Sequence, residues 1–512
     1  MKADRPNVIV ITTDQQRLDS LSCMGSSFVR TPNLDRLAHD GVLFRRAYCT
    51  NPVCTPSRAS IFSGFQVSRH GAWNVGTKIP ADIPLLTHRL AALGYRTHGI
   101  GKMHFQPFGT VESEESLERW NAGEALTRGP YYGFETMELA CGHTTYGMTG
   151  TYGEWVLEQV AGNRAALDGF RQSRRLVEPE FGGAAYETSL PWRLQNSVWT
   201  AERACAFLRD HHREAGGSAG RRPFFLAIGF EDPHHPHAVP SDYANRVDPA
   251  SVPLPAYTPG ELNDKPPHFA ANRDGTLNAG DLRGEYPVAG VSRGNDTVTD
   301  EAARLGRAHY YTLVQLIDEQ VGRIVDCIDE LGLRERTIIV FTTDHGELLG
   351  DHGMWCKGPF HYEQLVNVPL IVRGPAGFAR PRATDALVSH VDLVPTIMAA
   401  AGAPLPVSGD GSVDGVDLGP LLRGETSAAR DHVLIECVDD PQKLRLKTIV
   451  TASAKCTWYA SHAFGELYDL AHDPGEMTNL WSERIDERAR FLALMLENAE
   501  RVERRAHRWC YA

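Results

Sequence analysis

A cysteine, a proline and an arginine stand close together in the segment NPVCTPSRAS, which covers residues 51–60. Cys54 precedes Pro56 by two positions and Arg58 by four. A thiol beside a proline-stiffened turn and a fixed positive charge is able to act as a nucleophile or as a metal ligand. A buried thiol without a chemical role is a third interpretation. This segment alone does not decide among the three.

Two carboxylates occupy matching positions elsewhere in the chain. Asp14 and Asp344 each follow a Thr-Thr pair at the end of an apolar run, in ITTDQQ and FTTDHGE. Two carboxylates brought together repel each other unless a cation neutralises them. Oxygen donors from Asp14, Gln15 and Asp344 suit Ca²⁺, Mg²⁺ or Mn²⁺, and the imidazole of His345 moves the preference towards Mn²⁺ or another transition metal. Two aspartates that only cap helices are the alternative, and their shared context favours the metal site.

Basic side chains follow other predicted strands. Arg58, Lys102 and Lys357 could surround a tetrahedral oxyanion and offer fixed positive charge to its oxygens. His104 and His234 are candidates for proton transfer because imidazole titrates near neutral pH. Each of these residues taken singly is more often a surface or packing residue, so the functional interpretation depends on whether the fold brings them together.

Apolar strands that alternate with helices predict the scaffold. NVIVITTD, RPFFLAIGFEDP and RTIIVFTTDHGE have the pattern of buried strands, and AHYYTLVQLIDEQVGRIVDCIDELGL has that of an amphipathic helix. This alternation predicts an α/β fold with a large, mainly parallel but mixed central sheet between layers of helices. Ligands bind outside the carboxyl ends of such strands, where Asp14, Lys102, His234 and Asp344 are expected.

The pattern changes near the C-terminus. HVLIECV, LRLKTIVT, CTWYAS and GELYDL predict short strands without helices between them, followed by an amphipathic helix that packs on the protein or on a partner subunit. We therefore predict a catalytic domain over residues 1–425 and a subdomain over 426–512 with a short antiparallel sheet and a terminal helix. Residues 110–200 and 239–300 are expected to be long loops that shape a pocket.

Composition excludes several classes of function. The 512 residues are 42% hydrophobic and 23% charged, which is typical of a soluble globular protein. A net charge of −12 without a long basic block argues against a nucleic-acid partner. The N-terminal apolar run, residues 8–11, is too short for a signal peptide or a membrane span. Ten cysteines without CxxC pairs fit a reducing compartment, so we expect a cytoplasmic protein without a membrane partner and leave a homo-oligomer open.

The segment CTPSRAS resembles the C-x-P-S-R signature of the type I sulfatases, a family of the alkaline phosphatase superfamily. Five further segments are similar to that family and stand in its usual order: NVIVITTDQQ, GKMHF, DPHHP, TTDHGELLGDHGMWCKG and GELYDLAHDPGEMTNL. The resemblance covers nearly the whole chain and is weakest over residues 110–200 and 239–300. It implies an alkaline phosphatase-like fold.

The resemblance also implies a modified Cys54. In the family a separate maturation enzyme oxidises this cysteine to Cα-formylglycine, whose hydrate carries two hydroxyls on one carbon. One hydroxyl attacks the sulfur of a sulfate ester, and deprotonation of the other expels sulfate and regenerates the aldehyde. Pro56 and Arg58 then belong to the recognition sequence, and Arg58 also steadies the hydrate.

Other roles follow from the same resemblance. Asp14, Gln15, Asp344 and His345 are implied ligands of one divalent ion, together with residue 54. Lys102 and Lys357 are implied sulfate-binding lysines, His234 the acid that protonates the leaving oxygen, and His104 the group that orients or deprotonates the hydrate. Less specific expectations are that Asn74 and His143 line the pocket and that His235 and His237 are structural neighbours of His234.

Two positions depart from the common family pattern. Many members carry aspartate where Gln15 stands and asparagine where His345 stands. The change removes a negative charge and adds a nitrogen donor, so we expect Ca²⁺ or Mn²⁺, with Mg²⁺ less favoured. The same variant resembles choline sulfatases and phosphonate monoester hydrolases. We therefore expect a sulfate monoester hydrolase acting on a small molecule, because GKMHF supplies Lys102 and His104. A phosphonate monoester or phosphodiester hydrolase is the alternative, and a silent binding protein is disfavoured because no implied catalytic residue is missing.

Overall fold

The computed structural model describes residues 5–142, 147–173, 175–176, 185–214, 216, 222–274, 292–294, 298–406, 411–440 and 443–502. Within these ranges the strands are, in chain order, β1 (Asn7–Thr13), β2 (Val42–Tyr48), β3 (Arg96–Gly101), β4 (Thr136–Leu139), β5 (Arg175–Leu176), β6 (Ala185–Thr188), β7 (Phe224–Gly229), β8 (His237–Pro240), β9 (Ser292–Gly294), β10 (Thr337–Thr343), β11 (Met354–Cys356), β12 (Asn367–Arg373), β13 (Arg382–Thr384), β14 (Val388–Ser389), β15 (His432–Asp440), β16 (Leu444–Thr451), β17 (Ala454–Tyr459) and β18 (Gly465–Asp469).

The α-helices of the same ranges surround and connect these strands. They are α1 (Pro32–Asp40), α2 (Cys54–Ser63), α3 (Val67–His70), α4 (Leu86–Ala92), α5 (Leu117–Asn121), α6 (Gly150–Gln159), α7 (Arg164–Gln172), α8 (Asn196–Glu214), α9 (Pro267–Arg273), α10 (Asp300–Glu330), α11 (Glu363–Val366), α12 (Leu393–Ala400), α13 (Gly419–Leu422) and α14 (Ile485–Val502). No helix of the described chain is both long and apolar enough to cross a membrane.

The main sheet has the strand order β13-β2-β12-β10-β1-β7-β3-β4, with β14 also paired to β2. Strand β1 lies in the centre, parallel to β10 on one side and to β7 on the other. Strand β12 runs antiparallel to both β10 and β2. The predicted α/β fold with a mainly parallel, mixed sheet is therefore confirmed.

Alternation along β1 explains the two helical layers. All seven residues of β1 are buried, and successive side chains of a strand point to opposite faces. Val8 and Val10 pack with side chains of α2, α4 and α12, whereas Ile9 and Ile11 pack with α1, α8 and α10. Burial on both faces is the reason why this strand is an unbroken apolar run.

The C-terminal part also has the predicted architecture. Strands β15 to β18 form a four-stranded antiparallel sheet in chain order. Phe491 and Met495 of α14 pack against Leu434, Ile449 and Leu467 of that sheet, so the helix covers this chain's own sheet. The predicted boundary between residues 425 and 426 stays a prediction.

The segment expected to be a loop over residues 110–200 contains regular structure. It includes β4 at the edge of the main sheet and the helices α5, α6 and α7. These elements are short, and α6 contains two glycines, Gly150 and Gly153. Glycine weakens helix propensity, which explains why the sequence pattern did not reveal the helix.

Candidate active site

Four neighbouring strands bring the predicted residues to one edge of the main sheet. Asp14 follows β1 and Asp344 follows β10, and the last residues of these parallel strands, Thr13 and Thr343, are register partners. Lys102 follows β3, and the loop with His234 follows β7. The predicted convergence at the carboxyl ends of the strands is therefore present.

Two glycines permit the close approach of the backbone at this edge. A β-carbon on Gly229 would lie 1.9 Å from the carbonyl oxygen of Lys102, and one on Gly346 would lie 1.9 Å from that of Gln364. The Lys102 N–H donates to the Gly229 carbonyl at 2.8 Å. Any larger side chain at either position would separate these loops, so both glycines help to place the site.

The segment NPVCTPSRAS forms the entrance to α2. Cys54 is the first residue of that helix, and Pro56 lies in its first turn, where proline is tolerated because its missing N–H has no helical partner. The helix N-terminus is the positive end of the helix dipole. The Ser57 hydroxyl donates to the Asp344 carbonyl at 2.6 Å, which fixes α2 to the end of β10.

Arg58 lies one helical turn after Cys54 and binds both carboxylates. Its Nε donates to Asp344 Oδ2 at 2.8 Å, and one Nη donates to Asp14 Oδ2 at 3.2 Å. The other Nη donates to the Lys102 carbonyl at 3.0 Å. Arg58 is completely buried, so this guanidinium joins the ends of β1, β3 and β10.

The thiol of Cys54 lies among polar side chains. Its Sγ is 3.0 Å from Lys357 Nζ, 3.3 Å from His345 Nε2 and 3.7 Å from Asp14 Oδ1. Burial, and next the charge of Asp14, raise the pKa of the thiol to about 11. An unmodified Cys54 is therefore a neutral thiol at neutral pH, and a neutral thiol is a poor nucleophile.

Two ammonium groups flank the thiol and the carboxylates. Lys102 Nζ lies 2.5 Å from Asp14 Oδ2. Lys357 Nζ lies 2.9 Å from His234 Nε2 and 3.1 Å from His345 Nε2. Burial opposes the charge on Lys357, but the Cys54 sulfur, Asp14 and Asp344 together raise its pKa.

Four buried side chains could hold a metal ion. The ligand atoms of Asp14, Cys54, Asp344 and His345 all lie within 4.8 Å of one another. Burial, and next Lys357, lower the pKa of His345 to about 4, so its imidazole is neutral at pH 7. Its Nδ1 faces the Gly346 carbonyl at 2.9 Å, which places the proton on Nδ1 and leaves the lone pair of Nε2 directed towards Cys54.

Gln15 contributes to the site in two directions. Its backbone N–H donates to Asp344 Oδ1 at 3.0 Å. Its side-chain amide contacts Glu347 and lies 3.0 Å from His235 Nδ1. Its φ of 68° lies in the left-handed region that non-glycine residues rarely adopt. The side chain of this implied metal ligand is thus directed towards His235 and Glu347.

The two predicted proton-transfer histidines lie on different loops. His234 Nε2 is 3.9 Å from Asp14 Oδ1, in addition to its contact with Lys357. The His104 ring stacks on Phe108 with 4.0 Å between the ring centroids. Burial, and next the charges of Lys102 and Arg58, lower the pKa of His104 well below its usual range, so the ring is uncharged at neutral pH.

The remaining predicted residues have other contacts or lie outside the described ranges. His237 is buried with Nδ1 against the Pro233 carbonyl at 3.1 Å, which fits the structural role expected for it. Asn74 lies in the loop after α3, where its carbonyl accepts the Thr77 hydroxyl. His143 lies outside the described residues.

Sequence reasoning missed two buried glutamates. Glu115 accepts the backbone N–H groups of His104 and Phe105 at 2.7 and 2.8 Å and so holds the loop after β3. Its segment has no pattern that could have revealed it. Glu347 contacts Gln15, and its place two residues after His345 in the motif DHGE was an available signal.

The arrangement of the two sheets defines the class of fold. A mixed α/β sheet with an antiparallel C-terminal sheet is the alkaline phosphatase-like fold. The phosphonate monoester hydrolase of Agrobacterium radiobacter has this fold, with a TM-score of 0.76 at 24% identity over 98% of this chain and 96% of its own. The likeness shows a shared fold.

The sequence comparison then gives the family. The sulfatase family model matches residues 6–403, and a model described as N-sulphoglucosamine sulphohydrolase, C-terminal, matches residues 350–502. The first match covers more than half of the chain, so the chain belongs to the sulfatase family and is a sulfuric ester hydrolase.

Relatives with known names span almost the same length. An arylsulfatase of Clostridium perfringens (strain 13 / Type A) is 28% identical over 97% of this chain and 95% of its own. A choline-sulfatase of Rhizobium meliloti (strain 1021) is 26% identical over 94% of this chain and 83% of its own. The resemblance first noted in short segments therefore extends over the whole chain.

Proposed function

We propose that this enzyme hydrolyses sulfate monoesters of small molecules with a formylglycine derived from Cys54 and one divalent metal ion. The observation that carries the proposal is the convergence of the Cys54 thiol with Asp14, Asp344 and His345, whose ligand atoms lie within 4.8 Å of one another. Two carboxylates and a neutral imidazole are a donor set for a divalent ion. We keep Gln15 as a further ligand by family resemblance.

A divalent ion and a formylglycine at residue 54 both fit the surrounding residues. A divalent ion held there would supply positive charge to an ester oxygen. Oxidation of Cys54 would replace a neutral thiol by an aldehyde hydrate, which supplies a nucleophilic hydroxyl and a second hydroxyl for release of sulfate. The thiol is 1% exposed in the folded chain. We therefore infer that the maturation enzyme acts before α2 is packed against the sheet.

Charge in the site favours a monoanionic ester. Arg58, Lys102 and Lys357 carry three positive charges, against two negative charges on Asp14 and Asp344. The side chains therefore leave a net charge of +1 in a buried site. A sulfate monoester carries a single negative charge and is attracted by this balance, which a divalent ion would increase.

We assign a different role to each of the side chains around Cys54. Lys102 and Lys357 neutralise nonbridging oxygens, while Arg58 keeps the two carboxylates in place. His234 lies beside Lys357 and donates a proton to the leaving oxygen. His104 is uncharged and accepts the proton of the second hydroxyl.

The ligand pair Gln15 and His345 supports a second candidate, a phosphonate monoester or phosphodiester hydrolase. A monoanionic phosphodiester has nearly the charge and shape of a sulfate monoester, so the same side chains would bind it. The relative activity on the two substrate classes decides between the candidates.

The test has two parts. First, the chain is coexpressed with a formylglycine-generating enzyme, and peptide mass mapping around residue 54 is expected to show replacement of CH₂SH by CHO. Second, kcat/KM is measured side by side on an aryl sulfate and an aryl phosphonate monoester. A preference for the sulfate is expected. A preference for the phosphonate of about tenfold, or 1.4 kcal/mol, would establish the second candidate instead.

A further inference from the structure

A second group of metal-ligating side chains lies outside the ligand set proposed above. A ring nitrogen of His235, a carboxylate oxygen of Glu347 and the Sγ of Cys356 lie within 4.8 Å of one another. Glu347 and Cys356 are buried, and His235 is partly exposed. We name these three residues the thiol site. They combine nitrogen, oxygen and sulfur donors, whereas an acidic surface patch would offer oxygen alone.

The carboxylate of the thiol site is held in a defined orientation. Its Oε1 accepts the Leu349 N–H at 3.1 Å and also the N–H of Cys356. Its Oε2 faces the side-chain amide of Gln15.

Gln15 brings a fourth polar group to the same place. Its amide oxygen lies 3.2 Å from His235 Nδ1, and its amide nitrogen lies 3.0 Å from the same atom. The Nδ1 atom of His235 is therefore close to both polar atoms of the Gln15 amide. The Oε2 atom of Glu347 contacts the amide nitrogen. An imidazole nitrogen, a carboxylate oxygen and a sulfur are three donors, and a water molecule can supply the fourth position of a four-coordinate ion.

Backbone strain marks Cys356 and its neighbour Gln15. Cys356 has a φ of 67° and Gln15 a φ of 68°, in the left-handed region where glycine fits without cost and other residues are strained. Such strain is of order 1–3 kcal/mol for each residue and persists where the surroundings enforce it, often at functional sites. A cysteine at residue 356 places a thiol at a position where glycine would be the relaxed choice.

We propose that His235, Glu347 and Cys356 form a second divalent-metal site for which Zn²⁺ is the preferred ion. Zn²⁺ accepts sulfur, nitrogen and oxygen ligands in a four-coordinate geometry, and a thiolate selects it over Ca²⁺ or Mg²⁺. Binding displaces the proton of the Cys356 thiol to solvent. The site is distinct from that of Asp14, Asp344 and His345, which is rich in oxygen donors.

The position of the thiol site gives it access to the catalytic residues. Cys356 precedes Lys357, Glu347 follows His345 by two residues, and the ring of His235 stacks on that of His234 at 4.2 Å. An ion at the thiol site would therefore hold the loop after β10 and the loop after β7 together. It would act on the active site by positioning Lys357 and His234.

Cobalt provides a direct test, because a thiolate bound to Co²⁺ produces charge-transfer absorption in the near ultraviolet. The Cys54→Ser variant of the full chain is titrated with Co²⁺, so that the thiol at residue 54 cannot contribute. Absorption that rises with added Co²⁺ and then saturates is expected. It should disappear in Cys54→Ser/Cys356→Ser and remain in the matched control Cys54→Ser/Cys23→Ser, because Cys23 is an exposed cysteine.

A second measurement guards against variants that fail to fold. Zinc per chain is determined by elemental analysis after dialysis of the Cys54→Ser protein and of the same protein with His235→Asn, whose partly exposed ring can be replaced with little effect on packing. Circular dichroism and thermal unfolding check the fold. One fewer ion per chain is expected in the His235 variant. A folded Cys54→Ser protein without charge-transfer absorption, or absorption that persists after Cys356→Ser, would overturn the proposal, whether or not Cys54 is ever oxidised.

Discussion

Two regions of this protein bury lysine side chains, and they differ in the groups that each lysine contacts. At the active site Lys357 contacts a neutral thiol and two histidine rings. Behind the C-terminal sheet, Lys455 contacts two carboxylates, Glu476 and Glu363, the latter at 3.1 Å. Lys455 is thus neutralised by its own chain, whereas the proposed function assigns the charge of Lys357 to a bound ester. Burial alone therefore does not distinguish a catalytic lysine from a structural one, but the partners do.

The acids in the two regions differ in the same way. Arg58 binds both Asp14 and Asp344, and with Lys102 and Lys357 it makes three cations beside these two carboxylates. Around Lys455, burial raises the pKa of Glu476 although the lysine opposes this shift. The charges around Arg58 favour the binding of an anion. The charge of Lys455 is already balanced by carboxylates of the same chain. Four experiments separate these two cases.

The largest effect is expected from the removal of the Cys54 side chain, which Lys357 contacts at the active site. Cys54→Ala should lower kcat by on the order of a thousandfold or more, because no nucleophile remains. Thermal unfolding should change little. The matched control is Cys49→Ala, which removes another buried thiol five residues upstream and should keep turnover. Equal turnover by wild type and Cys54→Ala would contradict the formylglycine mechanism.

Separate replacement of each lysine by methionine tests whether the two lysines have different roles. Lys455→Met should lower the free energy of unfolding by about 3–5 kcal/mol, because it leaves buried carboxylates without a partner, and kcat/KM of the folded enzyme should stay near wild type. Lys357→Met should lower kcat/KM by on the order of a hundredfold with a smaller loss of stability. Urea unfolding and steady-state kinetics measure both variants. If both lysines affected mainly stability, charge balance would not be the distinguishing property.

Removal of the divalent ion should affect the active-site region alone. An ion present at 100 times its dissociation constant stabilises the folded chain by about 2.7 kcal/mol. Dialysis against a chelator should therefore lower Tm and activity, and Mn²⁺ or Ca²⁺ should restore both. Asp344→Asn serves as control, since its Tm should no longer respond to the chelator. Full activity of wild-type protein shown to be metal-free would refute the assignment of ligands.

Acidification gives the smallest effect and tests burial without a charge partner. Burial lowers the pKa of His70 to about 3, against about 6.5 in an unfolded chain. The unfolded chain therefore binds a proton that the folded chain refuses as the pH falls below 6.5. The contribution of His70 is fully present above that pH and decreases by about 2 kcal/mol at pH 5.

Urea unfolding at pH 8 and pH 5 measures this loss. His70→Gln should reduce the difference between the two pH values by about 2 kcal/mol, because glutamine does not titrate. The replaced ring contacts the Ser60 hydroxyl and accepts the Ala72 N–H, both at 3.1 Å, so the variant itself is expected to be less stable at both pH values. An unchanged difference would show that His70 is not the group that titrates.

Short-range patterns in the sequence were sufficient for the architecture. Apolar runs that end in Thr-Thr-Asp predicted β1 and β10, and their parallel pairing brings Asp14 and Asp344 to one place. The change of pattern near residue 425 predicted the antiparallel C-terminal sheet. Periodicity did not reveal that β12 runs antiparallel between β10 and β2, because a strand buried on both faces has the same pattern in either direction.

Other features depend on contacts between distant parts of the chain. Cys54 and Lys357 are 303 residues apart, and Gln15 and Glu347 are 332 apart. No local pattern shows that Arg58 binds both carboxylates or that the amide of Gln15 turns towards His235. These contacts follow from strand register and from the packing of α2 on the sheet.

The sequence by itself determined which residue types stand at the ends of the strands. Periodicity and burial suffice for this, since they act within a few residues. Only the tertiary structure decided which charges are neutralised by the chain and which remain for a ligand, and only it brought His235, Glu347 and Cys356 together. The physical reason is that the energy of a buried charge depends on neighbours a few ångströms away, and these neighbours come from loops hundreds of residues apart.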